Sequence, residues 1–307
     1  ATPEFRGPVT KPAAPTPAAE RHDLRKKQKR LGLVVAHALR RANEDCHDET
    51  APAEPLHYYQ GYHDVAAVFS TVLEDPSLTV ACLVRVSRSH FGDAMKENFL
   101  DMMAGVRLSV FPLISLIDPD LHDFLLDSGV EPFFCMSWVL TWFAHEVRDT
   151  AVAGRLFDAF LAGHPALPLY AAVAMVTQNS HRRRVLEQEC DFAEVHTCLC
   201  ALPGDVRGCR APVREGEGTE EEVVEYQDLI AQAIDIMRQF PPTSLPALAA
   251  EYEEGTLSPF LPAPSVRYFL PPSAWTVAAA VPADWVLLQR RQRRRDRAPP
   301  DAPPPDR

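Results

Sequence analysis

Apolar residues recur at three- and four-residue spacing along most of the middle of this 307-residue chain, and almost nowhere at spacing two. From Leu24 onward, Leu31, Val34, Val35, Ala38 and Leu39 mark one face of a helix. The polar segment NEDCHDETAPAEP (43–55) reads as a loop closed by proline, and VAAVFSTVL (65–73) as the start of a buried helix. Further helices are expected at about 79–88, 92–111, 119–127, 167–178 and 223–240. The stretch 132–160 is one strongly apolar block that includes Trp138, Trp142, Phe143, Leu156, Phe157 and Phe160. GDVRGCRAPVREGEGTEEE (204–222) reads as a polar loop, and FPPTSLP after it breaks the helical pattern because proline brings no backbone N–H. No clean alternating run and no Asn-Gly hairpin turn is present. The pattern predicts an all-α, multi-helix domain over 24–245, between a disordered Pro/Ala-rich leader (1–23) and an irregular Pro/Arg-rich tail (246–307).

Composition supports a packed core, with 46% hydrophobic and 24% charged residues. The 29 prolines cluster at the two ends, which sharpens the contrast between a compact middle and loose termini. A net charge of −11 repels phosphate backbones, so nucleic acid is not an expected partner. Against that acidity stands the tail QRRQRRRDR (289–297), whose six arginines could touch anionic lipid headgroups or simply be solvated. Seven cysteines without regular spacing suit a reducing compartment. The first residues, ATPEFRGPVTKP, lack the pattern of a secretory signal. The most apolar window, WTVAAAVPADWVLL (275–288), is too short to span a bilayer and is interrupted by Pro282 and Asp284.

Several groupings invite chemistry. Cys190, His196, Cys198, Cys200 and Cys209 lack the paired C-x₂₋₄-C spacing of structural zinc, and read better as core cysteines. Ser137 or Cys135 with His145 would fall within one apolar block with no nucleophile elbow. No glycine-rich phosphate loop is present, so no nucleotide is expected to be held by the chain itself. The remaining candidate is LHYYQGYHDV (56–65). There an uncharged Gln60 sits where a turn meets an apolar run, either capping a helix or orienting a water molecule.

Taken together, these residues resemble the TBC domain, the module of GTPase-activating proteins for Rab GTPases. Tyr58-x-Gln60-Gly61 matches its Y-x-Q-G signature, SWVLTWFAHEVRDTAVAGRLFDAFLAGHPALPLYAAVA (137–174) its tryptophan-bearing second block, and QFPP (239–242) its end. LHDFLLDSGVEPFF (121–134) and DFAEVHTCLCALP (191–203) are most similar to the endoplasmic-reticulum-associated member of that family. The resemblance implies a GTP-bound Rab as partner, with GTP and Mg²⁺ belonging to the Rab and no cofactor of the chain's own. It also implies a cytoplasmic location at endoplasmic-reticulum or other trafficking membranes. Gln60 would be the glutamine finger, Tyr58 would hold its loop, and Gly61 would let the backbone approach the partner. A carboxamide suits that role because it can accept from water and donate to a phosphate oxygen at once. Trp138, Trp142 and Phe143 would fill the core beneath this surface, and Arg155 with Asp158 would form an ion pair or hold a neighbouring loop. One part is missing. The family's I-x-x-D-x-x-R arginine motif is not found in VTKPAAPTPAAERHDLRKKQ (9–28), and Arg21, Arg25 and Arg40 are the candidate stand-ins. An arginine finger contributes about 10³–10⁵ in rate, or roughly 4–7 kcal/mol of barrier.

Overall fold

A computed structural model of the chain describes residues 17–44, 55–97, 100–206 and 224–255. Among these residues there are twelve α-helices, two short 3₁₀ turns (Pro132–Cys135 and Pro242–Ser244) and no β-strand. The expected all-α class is the observed one.

Helix starts follow local chemistry. In α3 (Pro76–Ser89) the Asp75 carboxylate accepts from the Ser77 and Leu78 N–H groups at 2.7 and 3.1 Å, which satisfies donors that a helix start leaves open. The same device, an aspartate one residue ahead, opens α5 (Pro119–Asp127), α7 (Thr150–Ala162) and α10 (Phe192–Asp205). Gln178 does so for α9 (Asn179–Leu186). Around them run α1 (Pro17–Glu44), α2 (Tyr62–Leu73), α4 (Leu100–Ile117), α6 (Met136–Thr141), α8 (Leu167–Thr177), α11 (Tyr226–Gln239) and α12 (Leu245–Gly255).

The core is organised by α8. Its sequence LPLYAAVAMVT is apolar almost all round, and every one of its residues is buried, as expected for a helix with no polar face to show to water. It packs against α4, α6, α9, α10 and α11. On the other flank α1, α2 and α3 pack together, and α2 joins them to α6 and α7.

Four boundaries depart from the sequence pattern. Helix α1 starts at Pro17 rather than Leu24, consistent with proline in the first turn followed by the helix formers Ala18 and Ala19. Helix α4 starts at Leu100 rather than about 92, because Phe91–Met95 closes a turn with the Met95 N–H on the Phe91 carbonyl at 3.0 Å. It then passes through Pro112, where burial of Phe111, Leu113 and Ile114 outweighs proline's cost of about 3 kcal/mol. The apolar block 132–160 is not continuous: Trp142 (φ 51°) and Phe143 (φ 64°) both adopt left-handed backbone and end α6. Finally, the stretch from 246, expected to be irregular, is helical to Gly255. The prolines of QFPPTSLP make a corner there, after which Leu248, Ala249 and Tyr252 are buried and α12 packs on α4. The Tyr252 hydroxyl meets His122 Nε2 at 2.8 Å. Residues 45–54 of the acidic loop, the greater part of the 204–222 loop and the arginine tail lie outside the described residues.

Candidate functional site

The turn carrying Gln60 is fixed on both sides. Upstream, Asn43 near the end of α1 clasps the Leu56 backbone, its amide donating to the Leu56 carbonyl at 3.0 Å and its oxygen accepting the Leu56 N–H at 2.8 Å. The His57 N–H donates to the Met95 carbonyl at 2.6 Å. Next to Gln60, the buried Tyr59 donates its hydroxyl to the Leu140 carbonyl of α6 at 2.6 Å. Downstream, the Tyr62 hydroxyl meets Ser87 Oγ of α3 at 2.7 Å. Burial pushes the Tyr59 phenol well above its usual range. The same cause takes Tyr62 to about 12, opposed by the Ser87 hydrogen bond. Both phenols therefore stay neutral and act as fixed hydrogen-bonding groups.

Between these anchors Gln60 is exposed, and its carboxamide makes no hydrogen bond to any described residue. The N-cap position of α2 belongs to Gly61, with no side-chain cap. Of the two roles left open by the sequence, capping is not the one the structure shows: Gln60 does not cap the helix. Its amide points outward from a braced turn, free to donate and accept.

Gly61 is required by its backbone. Its φ of +107° lies where side chains are rarely tolerated, and a Cβ there would come within 2.9 Å of Thr141 Cγ2. Gly61→Ala is expected to cost about 1–3 kcal/mol, read as a lower urea midpoint with an unchanged slope. An unchanged midpoint would mean that the turn has another conformation available.

Tyr58 is half exposed (51%), and its hydroxyl pairs with His63 Nδ1 at 2.8 Å, closing a bridge over the Gln60 turn. Asp64 continues the chain of polar contacts, reaching His63 Nε2 at 3.6 Å and His145 Nδ1 at 3.0 Å. His145 thus faces Asp64, while Ser137 donates to Glu146 at 2.6 Å. The pair weighed as nucleophile and base is directed to different partners. Cys198 contacts the Arg184 carbonyl and Cys200 lies 3.8 Å from His196; Cys209 lies outside the described residues.

Beneath the turn, Trp138, Trp142 and Phe143 are all at most 2% exposed. The Trp142 ring meets Phe91 at 4.7 Å, and Phe91 in turn touches both Tyr59 and Tyr62 at 6.4 Å. An aromatic stack therefore runs from the tryptophan block to the Gln60 turn. Burial lowers the pKa of His90, which packs edge-on against Trp142 at 5.3 Å. Arg155 and Asp158 lie 3.6 Å apart on the exposed face of α7, where such a pair contributes at most about 1 kcal/mol.

The stand-in arginines are separated by the direction of the helices. Arg30 donates to the Glu74 carbonyl just past the end of α2, while Arg88 near the end of α3 donates to the Ala42 carbonyl near the end of α1. Helices α1 and α3 therefore run parallel, with α2 antiparallel to them and the Gln60 turn at their C-terminal end. Arg21 and Arg25 lie beyond Arg30 at the opposite end, more than the ~18 Å length of α2 away. Arg40 lies at the Gln60 end, 3.7 Å from Glu44 and exposed. Sequence reasoning missed Asn43, Asp64 and Thr141, whose roles depend on contacts with distant segments and leave no local pattern.

Residues 50–183 match the family model described as the Rab-GTPase-TBC domain. The chain is 34% identical over 199 residues to TBC1 domain family member 20 of Mus musculus, covering 65% of this chain and 44% of that protein. The Bos taurus protein of the same name is 35% identical over 195 residues, covering 64% and 43%. The GTPase-activating protein gyp10 of Schizosaccharomyces pombe is 30% identical over 154 residues, covering 49% and 40%. The chain thus spans less than half the length of the relatives it matches.

Proposed function

We propose, on the premise that the chain is a member of the Rab-GTPase-TBC family that it matches over residues 50–183, that it binds a GTP-loaded Rab GTPase and promotes hydrolysis through Gln60. The observation that carries this reading is the braced turn: Gln60 is exposed on a segment whose residues Leu56, His57, Tyr59 and Tyr62 are each tied to a different element. Orienting an attacking water requires a donor-acceptor group held in place before the partner arrives. GTP and Mg²⁺ come with the Rab. Tyr58 steadies the turn through His63, and Gly61, whose open side faces Thr141, lets the turn lie close against α6.

Transition-state charge also calls for a cation. Of the three stand-ins, Arg40 alone lies at the Gln60 end, and its guanidinium is turned to Glu44. That placement favours a second reading, a TBC domain that binds Rab-GTP as an effector or scaffold with little acceleration. The resemblance of 121–134 and 191–203 to the endoplasmic-reticulum-associated member supports action at early secretory membranes. Among the described residues no helix is long and apolar enough to cross a membrane.

Phosphate release from a panel of GTP-loaded Rabs, with the chain titrated in, separates the readings. Strong acceleration of one or two Rabs, lost in Arg40→Ala, supports catalysis with Arg40 in the arginine's place. Saturable binding to Rab-GTP without acceleration supports the effector reading, and binding to neither nucleotide state overturns both.

A further inference from the structure

Helix α1 carries eight Lys or Arg side chains against three Asp or Glu, a formal +5 in a chain of net −11. Five of these cations, Lys26, Lys29, Arg30, Arg40 and Arg41, fall on one stripe of the helix and line a groove of about 560 Å³ between α1 and the start of α3. Lys29 and Arg41 form no ion pair with any described carboxylate. The Asp75 carboxylate that caps α3 and the Glu44 carboxylate beside Arg40 offset at most two of the five charges, so the stripe stays net positive. Such a volume is that of a ligand site, and its charge selects an anion.

We propose that this groove and the basic ridge leading into it dock onto an anionic membrane, seating a phosphorylated lipid headgroup between α1 and α3. Residues 21–30 of α1 are exposed on every side, so this half of the helix projects beyond the packed body and can meet a plane. The apolar content of the groove argues against a peptide helix, which would need a row of anchors at i, i+3, i+4 and i+7. Val34 and Val80 are already 5% and 7% exposed, and only Leu33, at 55%, stands free to insert. Binding is therefore electrostatic with one apolar contact, the balance that suits a bilayer surface, where each basic side chain adds about fivefold in affinity.

The test is cosedimentation of the full chain with phosphatidylcholine vesicles, alone or containing phosphatidylserine or a phosphatidylinositol phosphate. Binding is expected only with the anionic lipids, and it should weaken steeply with salt. Lys26→Glu/Lys29→Glu, both at exposed positions away from Gln60, should raise the half-saturating lipid concentration at least about tenfold, whereas Arg183→Glu on α9 should leave it unchanged. Unaltered binding by the double variant would assign the membrane contact to the arginine tail and overturn the proposal. So would no binding, or binding of a soluble inositol phosphate or a glutamate-rich peptide as tight as that of the vesicles.

Discussion

Trp142→Ala is expected to remove about 3–5 kcal/mol of folding stability, more than any other single truncation around the Gln60 turn. The indole is 2% exposed and packs against Phe91, Phe157 and Phe160, with ring centroids 4.7, 5.2 and 5.6 Å away. Those three rings come from the α3–α4 connection and from α7, so no single helix can shift to fill the cavity. Edge-on aromatic pairs contribute about 0.5–1.5 kcal/mol beyond the area they bury, and alanine loses them together. The total is a large share of the 5–15 kcal/mol that a domain typically has. Urea denaturation checks it, with Trp142→Phe as a companion that retains part of the packing and should lose clearly less. A loss below about 1 kcal/mol for the alanine variant would mean that the indole is not central to the core.

Gln60→Ala is expected to leave stability within about 0.5 kcal/mol of the parent, because the side chain is exposed and makes no hydrogen bond to any described residue. Its effect belongs to the complex. If the carboxamide orients the attacking water, its loss should lower stimulated GTP hydrolysis by roughly 100-fold, the scale on which misplaced reacting groups reduce rate. Gln60→Glu should do no better, since its negative charge would lie beside the phosphate. Single-turnover phosphate release on the most responsive Rab measures both variants, and matching urea curves guard against a folding artefact. An unchanged rate would remove Gln60 from the chemistry and leave the turn as a binding feature.

Much of this was legible in the chain. The three- and four-residue spacing gave the all-helical class, because amphipathic periodicity is a local property that burial on one face makes visible. The turn was readable too: the sequence puts Gln60 where a turn meets an apolar run, and α2 does begin at Tyr62, whereas the φ of +107° at Gly61 is a finding of the structure. The sequence misled where packing overrode local preference. Nothing in TWFAH marks Trp142 and Phe143 as left-handed, since neither residue favours that conformation. They adopt it because their rings are drawn into a core assembled from distant segments. Pro112 does not end α4, and the prolines of QFPPTSLP are a corner rather than a terminus, in both cases because buried neighbours outweigh the lost backbone bond.

The candidate site divides along the same line. The candidate for the chemistry, Gln60, comes from the sequence, because its side chain and its glycine neighbour are local facts. Which cations stand near it was decided only by the parallel course of α1 and α3, which puts Arg40 at the turn and carries Arg21 and Arg25 to the far end. The bracing of the turn by Asn43, Met95, Leu140 and Ser87 was likewise a tertiary outcome. Contacts between residues tens of positions apart depend on how helices pack, and one-dimensional periodicity carries no information about which helix ends meet.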